Sequence, residues 1–326
     1  MVNIPEIYQA NASFGRNDDS PQGLICVFAG ATSNIGASTL EALAEMLQSP
    51  TFYVLGRSST RFATQREKLL SLNPQVKLVF LEVETSLISG IDGACKKILD
   101  AEKRVDYLYM SQGCIPLNVP QYTKESLEIT FALSYYTRMR LLTNLLPSLR
   151  CSPHPRVLSV LNAGQELKMQ DEDIGLQNPE NFGPRVAINH TTTMMTLGLE
   201  HLSHIDANQN IIFIHSFPGL VASDNFSRLT APDSFGLLGK ILVPLIGTIF
   251  SVIQKVFGIS TADCGIRQAF LLTCDMFERG KTWRIDDKSE VITSSNDALE
   301  YYRENGWREK VFTHTLQIFD KATSTG

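Results

Sequence analysis

The chain has 326 residues, of which 43% are hydrophobic and 19% charged. That length is ample for a buried core, as one large α/β domain or two ordinary ones, and the apolar fraction excludes wholesale disorder. With 29 Lys and Arg against 34 Asp and Glu the formal net charge is −5, and no basic stripe is visible, which argues against a nucleic-acid partner.

Residues 1–22 are polar and lack the basic start and apolar core of a secretory signal, so they read as a polar N-terminal arm. The six cysteines are scattered without a C-x-x-C pair, so no metal site is expected, and free thiols in a reducing cytoplasmic setting are. From residue 24 onward, short apolar runs alternate with helical stretches. LICVFA (24–29) is followed by a Gly-bounded turn and the helical TLEALAEML. Then come FYVL (52–55), KLVFLEV (77–83), DYLYMS (106–111), RVLSVL (156–161) and IIFIHSF (211–217). Continuous apolar runs suit parallel strands covered on both faces, and strands alternating with helices argue for βαβ units in one doubly wound sheet. No repeat or linker divides the chain, so a single α/β domain is expected over 23–290, with a C-terminal extension at 291–326.

Residues 241–254 (ILVPLIGTIFSVIQ) are uncharged and lie between Lys240 and Lys255. They are too few for a membrane span, which needs about 20 apolar residues. They read as a buried helix or the inner wall of a substrate pocket, the alternative being a lid that touches a membrane or a partner subunit. Glu200-His201-x-x-His204 reads as a solvated helix face rather than a metal site, and Asp171-Glu172-Asp173 as an exposed loop.

After the first strand stands Ala29-Gly30-Ala31-Thr32-Ser33-Asn34-Ile35-Gly36 and then a helix. Gly30 permits a tight turn and Gly36 lets the helix start close to the sheet, so backbone N–H groups and the helix dipole face a pyrophosphate. The second strand ends Gly56-Arg57-Ser58-Ser59, and no acid occurs between Glu45 and Glu67. A carboxylate at that strand end would bond the ribose 2′-hydroxyl of NAD, whereas arginine accommodates the 2′-phosphate of NADP, so NADP(H) is expected.

With these motifs in order, the chain resembles the short-chain dehydrogenase/reductase family over residues 24–285. The loop Gly30-x-x-x-Asn34-Ile35-Gly36 is similar to the family's glycine loop, with Asn34 at the middle glycine. Ser111-Gln112-Gly113 follows the fourth strand where the family has Asn-Ala-Gly, and Glu84 sits where an aspartate near the adenine is usual. Pro218-Gly219-Leu220-Val221 with Ser223 resembles the segment beside the nicotinamide. LYMSQG, SYYTRMRLLTNLLP and SFPGLVAS are similar to a branch common in fungal secondary-metabolite pathways. The resemblance implies a Rossmann-type sheet of about seven strands, a substrate lid at about 231–260, and a homodimer or homotetramer.

It also implies a catalytic Asn-Ser-Tyr-Lys set, which is replaced here. None of the nine tyrosines has Lys four residues on, no Tyr lies between 137 and 300, and no Lys between 169 and 239. The Ser position falls near Asn162 and the Asn position near Ser134. His190, on the helix that should carry the Tyr–Lys pair, is the candidate acid/base because imidazole titrates near neutrality. Asn162 is a candidate for polarising a carbonyl, and Tyr136, beside Ser134, for facing the pocket. The expected function is an NADP(H)-dependent oxidoreductase acting on a polyketide- or terpenoid-like intermediate. The missing tetrad keeps open a non-redox isomerase, dehydratase or cyclase, and thirdly a binding protein without catalysis.

Overall fold

Short apolar segments buried on both sides have one economical arrangement, a parallel sheet sandwiched between helices. The computed structural model describes residues 3–17, 20–117, 119–222, 236–294 and 296–324. Its strands are β1 (Ile25–Ala29), β2 (Thr51–Gly56), β3 (Lys77–Glu82), β4 (Tyr107–Met110), β5 (Arg156–Val160), β6 (Ile212–Ser216) and β7 (Thr282–Ile285). They form one seven-stranded sheet in the order β3–β2–β1–β4–β5–β6–β7, with every neighbouring pair parallel. The doubly wound sheet expected from the sequence is therefore observed.

The helices are α1 (Ile4–Arg16), α2 (Asn34–Met46), α3 (Ser59–Leu72), α4 (Ile88–Ala101), α5 (Ile129–Phe131), α6 (Thr137–Arg150), α7 (Pro184–Ser203), α8 (Gly236–Phe257), α9 (Thr261–Thr273), α10 (Asp297–Glu304) and α11 (Trp307–Ser324). Alternate residues of each strand enter different cores, as the two-residue period of a strand requires. Cys26 and Phe28 join Leu40 of α2, Phe62 of α3 and Leu271 of α9. Val27 and Ala29 join Ile91 of α4, Leu142 of α6, Met194 of α7 and Phe319 of α11.

The polar N-terminal stretch contains α1, started by a reciprocal Asn3–Glu6 capping box. Its inward face is Ile7 and Asn11, four residues apart, and Asn11 Nδ2 donates to the Ile266 carbonyl of α9 at 3.1 Å. At the other end, α10 and α11 lie over α7, so every residue from His190 to Glu200 is buried. The Glu200 region is thus not the solvated face read from the sequence. Glu200 accepts from Arg303 and from Arg308 Nε at 2.9 Å, and His201 stacks on Phe312 with 4.4 Å between centroids. The expectation of a buried helix at 241–254 also fails, because Leu245, Ile249 and Val252 of α8 are each more than half exposed, at 53%, 52% and 56%.

Between α5 and α6 the helix widens into a π-turn at Ala132–Tyr136. There the chain delivers Arg138 to the C-terminal ends of β4 and β5, where it is 1% exposed. Its Nε donates to the Gln112 and Leu133 carbonyls at 3.2 Å, and Nη1 to Val160 O at 2.7 Å, Ser159 Oγ at 2.9 Å and Met110 O at 3.3 Å. Nη2 also bonds the Gln112 carbonyl. Burial without a carboxylate holds this guanidinium down to about 9, still charged at neutral pH. Arg138→Met leaves these carbonyls unpaired, so it is expected to cost at least about 3 kcal/mol of unfolding free energy, measured as a lower urea midpoint.

Candidate active site

The strand ends converge at the turn after β1. Gly30 has φ +84°, and a Cβ there would overlap the Gln112 backbone, while a Cβ on Gly36 would overlap the Gly30 carbonyl. Ser111 Oγ donates to that carbonyl at 3.0 Å, so the loop is pressed against the end of β4. Asn34 opens α2 with φ +50°, a left-handed conformation that asparagine tolerates. Ser33, the N-cap, makes no side-chain capping bond and the first turn carries no acid. The helix therefore offers its first amides and positive dipole end to an anion, which suits a pyrophosphate. Thr32 lies over Gly56 at the end of β2.

Next to Gly56, Arg57 is exposed, and Ser58 caps α3 by accepting from the Arg61 N–H at 3.2 Å. The sheet adds a carboxylate that a scan of the second strand alone misses. Glu82 pairs with Gly56 in register, and its Oε2 accepts from Ser59 N at 3.2 Å and Ser59 Oγ at 2.7 Å. Those bonds lower its carboxyl below the ordinary range. Glu84, just beyond β3, is exposed and accepts from Ser86 Oγ at 3.1 Å.

Toward β5 the site changes character. Gly113 lies beside Ser134 Oγ and the Arg138 guanidinium, each 3.8 Å from where its Cβ would be. Gln112 is 5% exposed, yet both polar atoms of its amide lack a hydrogen-bond partner in the protein. Such unmet capacity in a buried amide is rare and fits a ligand group at the strand end. Asn162 Nδ2 donates to Thr192 Oγ1 of α7 at 3.4 Å. Helical spacing puts Arg185, Ile188 and Asn189 on the same face as Thr192, and Arg185 and Ile188 are exposed. Beyond β6, Val221 forms a parallel bridge with Ile259, so Pro218, Gly219 and Val221 sit at the end of α8, and Ser223 lies outside the described residues.

His190 and Tyr136 are brought together, but not with Asn162. The Gln170 N–H donates to His190 Nε2 at 2.7 Å, so the proton is on Nδ1, which donates to the Ile174 carbonyl at 2.9 Å. Both ring nitrogens are occupied by the 170–174 loop, and burial lowers the imidazole pKa. Tyr136 packs on Phe131 and its hydroxyl bonds His314 Nε2 of α11 at 2.8 Å. It borders a cleft of about 230 Å³ with Glu128, Leu176 and Ile318. A third histidine, His215 on β6, is fully buried. Thr196 Oγ1 donates to Glu166 at 2.7 Å, so it accepts from His215 Nδ1 at 2.8 Å, and Nε2 is left without a partner. Glu166 in turn pairs with Arg284 Nη1 of β7 at 3.0 Å. Among the described residues no cluster of three His, Cys, Asp or Glu forms a metal site, and no helix is long and apolar enough to cross a membrane.

A glycine turn after the first strand of a doubly wound parallel sheet is the arrangement on which dinucleotide-binding α/β folds are built. An oxidoreductase of Emericella nidulans is 31% identical over 99% of this chain and 99% of its own length. A short-chain dehydrogenase/reductase of Stachybotrys chartarum is 29% identical over 80% of this chain and 76% of its own. The solved L-sorbose reductase of Gluconobacter frateurii, described as complexed with NADPH and L-sorbose, superposes with TM-score 0.59 at 16% identity, covering 84% of this chain and 98% of that one. No family model matches the chain. The chain belongs to the short-chain dehydrogenase/reductase family of oxidoreductases.

Burial lowers the pKa of both His215 and His314 from 6.5 to about 4. A histidine kept neutral in the fold binds its proton first in the unfolded chain, so its stabilisation is complete above the unfolded pKa. Stability is expected to fall as the pH drops from about 6.5 to about 4. In His314→Gln the slope of unfolding free energy against pH should flatten by up to about one proton, read from urea titrations across that window.

Proposed function

We propose that the protein is a nicotinamide-dependent oxidoreductase, with NADP(H) as its preferred form. In this reading it reduces a carbonyl or enone of a polyketide- or terpenoid-like intermediate of secondary metabolism without a Tyr–Lys proton donor. One juxtaposition carries it: the glycine turn after β1 stands at the same carboxyl end of the sheet as Asn162, just beyond β5, and Thr192 of α7, a helix that carries neither Tyr nor Lys. The secondary-metabolic setting is supported by LYMSQG, SYYTRMRLLTNLLP and SFPGLVAS.

A dinucleotide fits these residues. Gly30, Thr32, Ser33, Asn34, Ile35 and Gly36 would hold its pyrophosphate on backbone N–H groups and the α2 terminus. Arg57 and Ser58 would take the 2′-phosphate, the more readily because Glu82 is already engaged by Ser59. Glu84 would stand toward the adenine. Ser111, Gln112, Gly113, Pro218, Gly219, Val221 and Ser223 would line the nicotinamide end. When bound, the cofactor supplies or accepts the hydride.

The protein's own part is to place the substrate and stabilise developing charge. Asn162 and the Thr192 hydroxyl donate to the substrate oxygen as it becomes anionic. Ser134, beside Gly113, borders the same end. With both nitrogens of His190 engaged, that ring holds the 170–174 loop in position, Tyr136 anchors α11, and the proton comes from solvent at the Arg185–Asn189 face.

In binding titrations NADPH should be held at least about tenfold tighter than NADH, with Arg57→Ala erasing the difference, since an arginine–phosphate pair is a strong charge-assisted contact. Equal affinity of the intact protein for both overturns the 2′-phosphate assignment. With a panel of polyketide and terpenoid ketones and enones, Asn162→Ala should lower kcat about 10²-fold while leaving NADPH affinity unchanged. A product formed with no NADPH consumed would reassign the protein, as an isomerase or cyclase if it is isobaric with its substrate and as a dehydratase if it is lighter by one water. NADPH binding without turnover of any of them would favour a binding role.

A further inference from the structure

The face of α7 that looks toward the carboxyl ends of the strands changes character along its length. Deep in the fold it is polar and engaged. Thr196 Oγ1 donates to Glu166 at 2.7 Å and accepts from His215 Nδ1 at 2.8 Å, and one turn nearer the helix start Thr192 meets Asn162. At 100° per residue, Asn189, Ile188 and Arg185 lie within about 60° of Thr192 and carry the same face on for two more turns. There the partners stop. Ile188 is 38% exposed, and Arg185 is exposed and makes no hydrogen bond or ion pair among the described residues. Leu167, whose backbone brackets Thr193 with bonds of 3.1 and 2.8 Å, adds a second aliphatic side chain beside that face, 41% exposed. Arg185 does not serve the helix, because the positive dipole end favours an acid in the first turn, and α7 has a cation and no acid there.

We propose that Arg185 selects the substrate by binding a carboxylate, so that the protein acts on acids carrying the reacting carbonyl and the carboxylate at opposite ends of an apolar chain. From the sheet outward, the face offers the Asn162 amide, then aliphatic surface, then a guanidinium, in a chain whose net charge is −5. Seven residues separate Arg185 from Thr192, a rise of about 10 Å, which matches about eight bonds of extended carbon chain. The planar guanidinium fork fits the two oxygens of one carboxylate, and a hydrogen bond between charged partners is stronger than a neutral one. Ile188 and Leu167 flank the intervening chain and disfavour charge there. The assignment rests on the reading of Asn162 as the group that meets the substrate oxygen.

The test is calorimetric titration of the full chain, with and without NADP+, against 9-oxodecanoate and its methyl ester, and against 4-oxopentanoate and its methyl ester. The long acid should bind at least about tenfold tighter than its ester, since the ester keeps the chain and the ketone but loses the charge. The short acid cannot span the two groups and should show no such preference. Arg185→Gln should bring the long acid down to the affinity of its ester, while Arg185→Lys keeps part of the difference because the charge stays and the fork is lost. Ile188→Glu should weaken the acid more than the ester. Equal affinity for long acid and ester, no binding of the long acid, or a preference that survives Arg185→Gln overturns the proposal. NADPH consumption with the same compounds reads the proposed reaction separately. Acid preference without NADPH consumption supports the carboxylate site and counts against the reaction, whereas consumption at equal kcat/KM for long acid and ester keeps the reaction and overturns the role of Arg185.

Discussion

A parallel sheet concentrates a difficulty at the carboxyl ends of its strands, where backbone carbonyls run out of ladder partners at the place a ligand site is built. Arg138 resolves it for β4 and β5. Its planar fork collects the carbonyls of Met110, Gln112, Leu133 and Val160 in a space almost closed to water. Five donors in fixed geometry and no carboxylate nearby make this a purely structural guanidinium. The Gln112 backbone that Arg138 holds is also what presses on Gly30, so the shape of the glycine turn depends on a side chain more than a hundred residues away in sequence.

The π-turn that supplies Arg138 also decides what its neighbours do. Widening the helix at Ala132–Tyr136 turns Tyr135 and Tyr136 outward, toward α11. Thr315 donates to the Val311 carbonyl, so it accepts from the Tyr135 hydroxyl at 2.7 Å, while Tyr136 meets His314. The C-terminal helices thus give two tyrosines from the middle of the chain structural partners. They also cover α7 from behind, so that this helix is squeezed between the sheet and α11, and only its first turns reach the cleft.

Much of the glycine-turn end of the candidate site was legible because its constraints are local. A glycine directly after a strand and a second glycine six residues on, in the first turn of a helix, are read directly from spacing. The proton-transfer end was less legible. His190 was a reasonable candidate by residue type and position, but helical phase turns it toward the 170–174 loop, some 200° around α7 from Thr192. Thr192 and Asn189 carried no signal above their neighbours in a threonine-rich helix. Glu82 was missed because the carboxylate near Arg57 comes from the neighbouring strand, and only register reveals it. Strand β7, four residues with Thr282 and Arg284 among them, has no apolar run to announce it.

The sequence alone determined the strand–helix alternation, the doubly wound class, the glycine turn after β1 and the absence of a Tyr–Lys pair, because each follows from residue types at short spacing. Tertiary structure decided which side chains share a space. It gave His190 to a loop, Tyr136 to the C-terminal helix and Glu166 to Arg284. It also turned the aliphatic face of α8 outward, against the expectation that an apolar segment is buried. Hydrophobic periodicity says which residues of a helix lie together. Which way that face points is set by what packs on the opposite side, and no local pattern encodes it.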